Sequence, residues 1–176
     1  MFALVPPSAV ADTLAQLALD QRIEQGLHGK PLRTQHFHVT LCHLGDFNGV
    51  PGDVVERASH VAASMRSTSF DVLFDYVMSF GRKTDKPKPN HPFVLRGDTG
   101  VAGLVAFRRD LMARLREAGL PTDPGFTPHV TLLYDDRIVA PQPVAPVVWK
   151  ADEFVLIHSL LGQTKHVHLS RWPLHG

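Results

Sequence analysis

The sequence predicts an α+β fold built on antiparallel sheet. Segments with helical spacing of apolar residues alternate with short strand patterns that look half-buried, unlike the continuous apolar runs of a parallel sheet. The element order reads β-α-β-α-β, then β-α-β-β-β, with hairpins expected near both ends. In addition, the tetrapeptide His-Val-Thr-Leu occurs at 38–41 and again at 129–132, in opposite halves of the chain. Little else repeats, so an array is not expected, and a duplicated lobe with an internal pseudo-two-fold is the economical arrangement.

The elements follow in order. "FALVPP" reads as a short strand stopped by Pro6 and Pro7. Ser8 is placed to cap a helix running to about Gln25, with Val10, Leu14, Leu17 and Ile23 on its apolar period. Gly26 and Gly29 end it. Residues 36–44 alternate as a strand, and "NGVPGD" is a loop. A helix from Gly52 to Arg66 follows, with Val54, Val55, Ala58, Val61, Ala62 and Met65 inward. The aromatic and β-branched run 70–80 is a strand, "GRKTDKPKPNH" an exposed basic loop, and "PFVLRGD" another strand. A helix ends at Gly119, and "PHVTLLYD" is a strand. The proline-rich "DRIVAPQPVAP" reads as a crossing segment. "VVWKADEFVLIHSLL" reads as one long strand or two short ones, and "KHVHLSRWPL" as the last.

Composition narrows the function classes. With 176 residues, 44% of them hydrophobic, the chain can bury a core as one domain or two packed lobes. A formal net charge of +1 gives no overall field toward nucleic acid, so any cationic surface must be local. The single cysteine, Cys42, allows no intrachain disulfide, and the N-terminal stretch lacks a basic region and a long apolar run. Those features fit a cytoplasmic protein without a membrane span, and a monomer is expected.

On a strand, His38 and Thr40 share one face, as do His129 and Thr131, while the intervening Val and the following Leu face the core. Laid side by side, the two strands bring two histidines and two threonines around one space. That set suffices for phosphoryl transfer without a metal. One imidazole takes a proton from the attacking oxygen and the other gives one to the leaving oxygen. The hydroxyls donate to the non-bridging oxygens, where charge accumulates.

"FALVPP", "HFHVTLCHLG", "FTPHVTLLYD" and the closing "EFVLIHSLL…RWPL" together resemble the two-histidine phosphoesterase superfamily, in particular its RNA 2′,3′-cyclic phosphodiesterases, also called 2′-5′ RNA ligases. The resemblance covers essentially the whole chain. It implies a bilobal α+β fold, two antiparallel sheets around a central cleft with helices outside. It implies metal-independent opening of a 2′,3′-cyclic phosphate on RNA or a nucleotide to a 2′-phosphate, possible reverse 2′-5′ ligation, and no cofactor. Carried over by motif, the catalytic residues are His38, Thr40, His129 and Thr131. The sequence departs from the family at His43, where an aromatic residue is usual, and at Tyr134, where an arginine is frequent.

Other features compete. His36 with His38, and His166 with His168, are His-x-His pairs that a metal-dependent hydrolase would use. The bland alternative puts His36 at an exposed strand start and His166 and His168 on the surface. Cys42, on the histidine face by alternation, is a conceivable nucleophile but more simply a small buried hydrophobe. Arg82, Lys83, Lys86 and Lys88 in the basic loop could grip an RNA backbone. Phe126 and Tyr134 could stack a base, although alternation puts both opposite His129. An RNA-end-binding module without turnover is the remaining alternative.

Overall fold

The computed structural model describes residues 1–47, 49–81, 89–160 and 165–175. Two four-stranded antiparallel sheets and three α-helices make up the described residues. The strands are β1 (Phe2–Leu4), β2 (Val39–Cys42), β3 (Phe70–Ser79), β4 (His91–Arg96), β5 (His129–Asp135), β6 (Gln142–Ala151), β7 (Glu153–Leu160) and β8 (Lys165–Pro173). The helices are α1 (Ser8–Glu24), α2 (Gly52–Ser64) and α3 (Ala102–Glu117). Among the described residues, no helix is long and apolar enough to cross a membrane.

The first sheet has the order β2-β1-β7-β8 and the second β5-β4-β3-β6. The division therefore does not follow the two halves of the sequence. The two ends of the chain make one sheet and the middle makes the other. Both His-Val-Thr-Leu strands are edge strands, β2 of the first sheet and β5 of the second, and these two edges meet. One continuous core, including Phe2, Phe37, Phe74, Phe93 and Phe154, joins both sheets to the helices.

Several elements differ from the sequence expectation for identifiable reasons. Ser8 is the first helical residue rather than the cap, and Pro7 occupies the cap position without a side-chain bond. Helix α1 buries Ala11, Leu14, Ala18 and Gln21, so Ile23 falls off the buried stripe at 78% exposure. The segment read as a strand from residue 36 begins with a 3₁₀ turn, Thr34–His36, and pairing starts only at Val39. The proline-rich crossing segment is the start of β6. It tolerates Pro143 and Pro146 because β6 is an edge strand, with one side free of partners. "VVWKADEFVLIHSLL" divides at Asp152 into strands of different sheets.

The lead-in to each motif is fastened to the strand of the other motif. Before the first motif, Leu32 N–H donates to the Leu132 carbonyl at 2.8 Å, and the N–H groups of His28 and Gly29 donate to the Asp135 carboxylate at 2.7 and 2.6 Å. Gly29 is required there by close approach, since a Cβ would lie 1.9 Å from the Tyr134 carbonyl oxygen. Before the second motif, Arg108 of α3 donates from Nε to the Leu41 carbonyl at 2.9 Å. Its Nη2 holds the Asp123 and Gly125 carbonyls at 2.5 and 3.2 Å. Its guanidinium also lies 4.4 Å over the Phe126 ring.

These contacts set two expected outcomes. Gly29→Ala must push backbone against backbone, a cost of about 1–3 kcal/mol. Arg108→Ala leaves the Leu41 carbonyl without its donor, also about 1–3 kcal/mol. Denaturant unfolding of each variant against the parent checks both, and an unchanged midpoint in either would remove that fastening from the account.

Candidate active site

A bulge re-aims each motif strand, and it falls at the same letter of both repeats. In β2, Thr40 pairs with Ala3 and Cys42 with Phe2, which leaves Leu41 as the extra residue. In β5, Thr131 pairs with Val94 and Leu133 with Phe93, which leaves Leu132 as the extra residue. Both bulge leucines are buried in the core, and their carbonyls are the ones held by Arg108 and Leu32.

The bulges overturn two readings by simple alternation. Cys42 turns to the side of Phe2 and is 1% exposed, away from Thr40. Burial raises its thiol pKa, which disfavours the thiolate a nucleophile needs. Tyr134 is carried to the face of His129 and Thr131, opposite Pro92 of β4, and is 43% exposed. It is not a core residue. Phe126 instead sits half-buried beneath Arg108, in the lead-in to β5. Arg82, Lys83, Lys86 and Lys88 of the basic loop lie outside the described residues.

His38 stands at the entry to β2 and His129 at the first position of β5. Their rings are held alike. His38 Nδ1–H donates to the His36 carbonyl at 2.8 Å, and His129 Nδ1–H donates to the Thr127 carbonyl at 2.7 Å. In each neutral ring this fixes the tautomer and leaves Nε2 as the atom that accepts a proton. Thr40, half-buried on the same side as Ala3, makes a long contact from Oγ1 to Met1 Sδ at 3.9 Å. Thr131 is half-buried on the face of His129.

Burial lowers both imidazole pKa values below the ordinary 6.5. The carbonyl bonds oppose this in part. For His38, a charge on His129 or His36 lowers the value further. For His129, the adjacent Arg96 charge acts the same way.

Five residues join this neighbourhood that the sequence reading did not assign to it. His36 is not exposed but buried, at 8% exposure, in the 3₁₀ turn. The His166 ring packs edge-on against His38 at 5.0 Å and against His36 at 5.2 Å between centroids. His166 and His168 face the site rather than a remote surface, because their partners Ser159 and Ile157 lie on the side of β7 that carries Val155, which pairs with Ala3. Phe80, past the end of β3, packs edge-on against His129 at 4.8 Å. Arg96 of β4 pairs with His129 directly. Only the His-x-His spacing of 166 and 168 hinted at this in the sequence, and nothing local marked Phe80 or Arg96.

Among the described residues, three ligand-type side chains converge only at His28, Asp135 and Asp136. Asp135 is engaged there by the backbone N–H groups of His28, Gly29 and Arg137. Burial alone would raise its carboxyl pKa, but those N–H groups hold it below the usual range. The His36, His38 and His166 rings meet edge to face and do not bring their nitrogens together in that way.

The chain matches the 2′-5′ RNA ligase superfamily over residues 6–163, and it belongs to that superfamily. Among solved structures it is similar to E. coli LigT in its apo form, at 22% identity, TM-score 0.77, covering 99% of this chain and 96% of that one. The E. coli LigT complex with 3′-AMP is similar at 23% identity and TM-score 0.74, covering 98% and 95%. A Thermus thermophilus protein is similar at 21% identity and TM-score 0.76, covering 99% and 97%. No curated protein matches the chain. These likenesses establish the α+β fold of two antiparallel sheets, open rather than closed into a barrel.

The histidine cluster has a consequence for stability. Burial first, then the charges of His38, His36 and His168, lower the His166 pKa to about 4. The unfolded chain therefore binds a proton at this residue between about 6.5 and 4 that the folded chain does not, and stability falls as pH drops through that window. His166→Asn should flatten the fall in melting temperature across it. An unchanged pH slope would show that His166 titrates as freely folded as unfolded.

Proposed function

We propose that the site opens 2′,3′-cyclic phosphates at RNA ends or on nucleotides to 2′-phosphates, using His38 and His129 as an acid–base pair and no metal. The observation that carries this is the matched holding of the two rings. Each has Nδ1 fixed by the carbonyl two residues earlier, each leaves Nε2 for proton transfer, and each is followed by a threonine on the same face. Membership of the 2′-5′ RNA ligase superfamily supports the substrate class.

In this scheme His129 Nε2 takes a proton from water as the water oxygen attacks phosphorus. The bond from phosphorus to the 3′ oxygen breaks, and His38, protonated, delivers its proton to that oxygen. A 2′-phosphate and a 3′-hydroxyl result. Thr40 and Thr131 hydroxyls donate to the non-bridging oxygens as charge builds. With an RNA 5′-hydroxyl in place of water as the attacking group, the same site joins two ends through a 2′-5′ linkage, the reverse of cleaving that linkage. The cyclic ester already holds the necessary strain, so no nucleotide triphosphate is consumed. We place the reaction in the cytoplasm and assign the basic loop a supporting role on longer RNA.

The test is turnover of a 2′,3′-cyclic nucleotide with and without a chelator. His38→Ala or His129→Ala should each lose at least ~10²-fold in rate. Thr40→Val or Thr131→Val should lose on the order of 10-fold to 10³-fold. Near-normal turnover by His129→Ala, or loss of activity with the chelator, would contradict the scheme. An RNA-end-binding module would bind the cyclic end and turn nothing over.

The pH profile has a definite sign. Turnover needs one imidazole neutral and the other charged, a state most populated between their two pKa values. Both values lie below 6.5 in the free protein. The profile of kcat/KM, which reports the free enzyme, should be bell-shaped with its maximum below pH 6.5. A maximum above about pH 7.5 would show that burial does not govern these rings.

A further inference from the structure

We propose that His166 is a third histidine of the phosphate site, which binds the phosphate beside His38 and takes up a proton from solvent as that anion enters. The inference rests on the reading of His38 and His129 as the phosphate site and deepens it, adding a further ligand for the anion and a proton linkage to its binding.

The paired strands β7 and β8 supply the geometry. His166 of β8 pairs with Ser159, which alternates along β7 onto the side of Val155. Val155 pairs with Ala3, and Ala3 with Thr40. His166 therefore stands on the sheet face that carries Thr40. From there its ring reaches the entry to β2, edge-on to His38 at 5.0 Å and to His36 at 5.2 Å between centroids. Of these two neighbours, His36 is buried, and His38 has Nδ1 committed to the His36 carbonyl. His166 is half-buried and keeps part of its surface open. A phosphate hydrogen-bonded to His38 Nε2, about 2.8 Å away, thus has the His166 ring at its flank.

The charges on this face choose the ligand. Acting on His166 are His38 at the entry to β2, His36 in the 3₁₀ turn, His168 on its own strand and the amino group of Met1 ahead of β1. A charge on His129 of β5 acts on His38 as well. All of these groups are cationic when protonated, so protons gathered here repel one another. Desolvation first, and then that repulsion, leave the His166 ring neutral in the free protein above a pKa of about 4. A bound phosphate reverses the balance. Its negative charge favours a proton on each ring that touches it and offsets the repulsion between them. The titration midpoint of His166 therefore rises in the complex. Between the free and the bound midpoints a proton enters with the anion, so affinity increases as pH falls through that interval. A 2′-phosphate product, with its second negative charge, draws on this proton more strongly than the singly charged cyclic ester does.

The test uses inorganic sulfate, a tetrahedral dianion that does not itself titrate across the relevant range, on the full chain. Calorimetry between about pH 4.5 and 7.5 should show tighter binding by the parent as pH falls. His166→Asn keeps a hydrogen-bonding side chain that cannot charge. It should bind sulfate about tenfold or more weakly at the acid end, with a pH slope shallower by about one proton. A second readout needs no variant. The His166 ring titration followed by NMR in the parent should move up by about one pH unit or more at saturating sulfate. A His166 midpoint that sulfate does not move overturns the inference, and so does a His166→Asn slope equal to the parent's. His38→Asn and His129→Asn separate the underlying reading. If both bind sulfate normally while the His166 midpoint still moves, His166 stands as an anion ligand and the assignment of the pair to the phosphate fails. If both lose sulfate while the parent's His166 midpoint stays put, the pair stands and this inference fails.

Discussion

Two backbone carbonyls organise this molecule, those of Leu41 and Leu132. Each is exposed by a bulge in a motif strand, and each is captured from the opposite motif's lead-in, one by Arg108 Nε and the other by Leu32 N–H. An edge strand normally presents free backbone groups that invite unwanted pairing. Here β2 and β5 turn those edges toward each other and use them for mutual attachment. Everything else about the site follows from that attachment. It joins the edges that carry His38 and His129 and fixes the lead-ins whose carbonyls, of His36 and Thr127, orient the rings.

The repeated His-Val-Thr-Leu is therefore a unit of shape as well as of chemistry. In the proposed scheme His and Thr supply the proton-transfer and hydroxyl groups, while Val enters the core and Leu is the residue at which the strand slips register and buries its side chain. The slip has opposite consequences for what comes next. In β2 it turns Cys42 into the core, and in β5 it turns Tyr134 out toward His129. Around the motif pair the fold adds unlike surroundings, with His166 packed on both His38 and His36, and Phe80 and Arg96 beside His129. Nearly symmetric rings thus sit in asymmetric company.

Much of this was legible in the chain. Helix periodicity placed α2 and α3 closely, and the tetrapeptide repeat located the two edge strands. Resemblance through whole motifs pointed to the family. What was hidden depended on pairing. Strict alternation assigned Cys42 and Tyr134 to the wrong faces because a bulge inserts one residue without any local signal. The strand at Gln142 was hidden by Pro143 and Pro146, whose tolerance depends on the position of β6 at an edge. Arg96 is an ordinary strand residue until register sets it beside His129. His36 looked like a strand start but is buried by a 3₁₀ turn that brings it under His166.

The central claim is that the two histidines act as one unit on one phosphate. The direct measurement is a double-mutant cycle on turnover of a 2′,3′-cyclic nucleotide, comparing His38→Ala, His129→Ala and the double variant. Residues that act together are grossly non-additive, so the double variant should be no slower than the slower single variant within a few-fold. Losses that multiply would show two independent contributions and contradict the account.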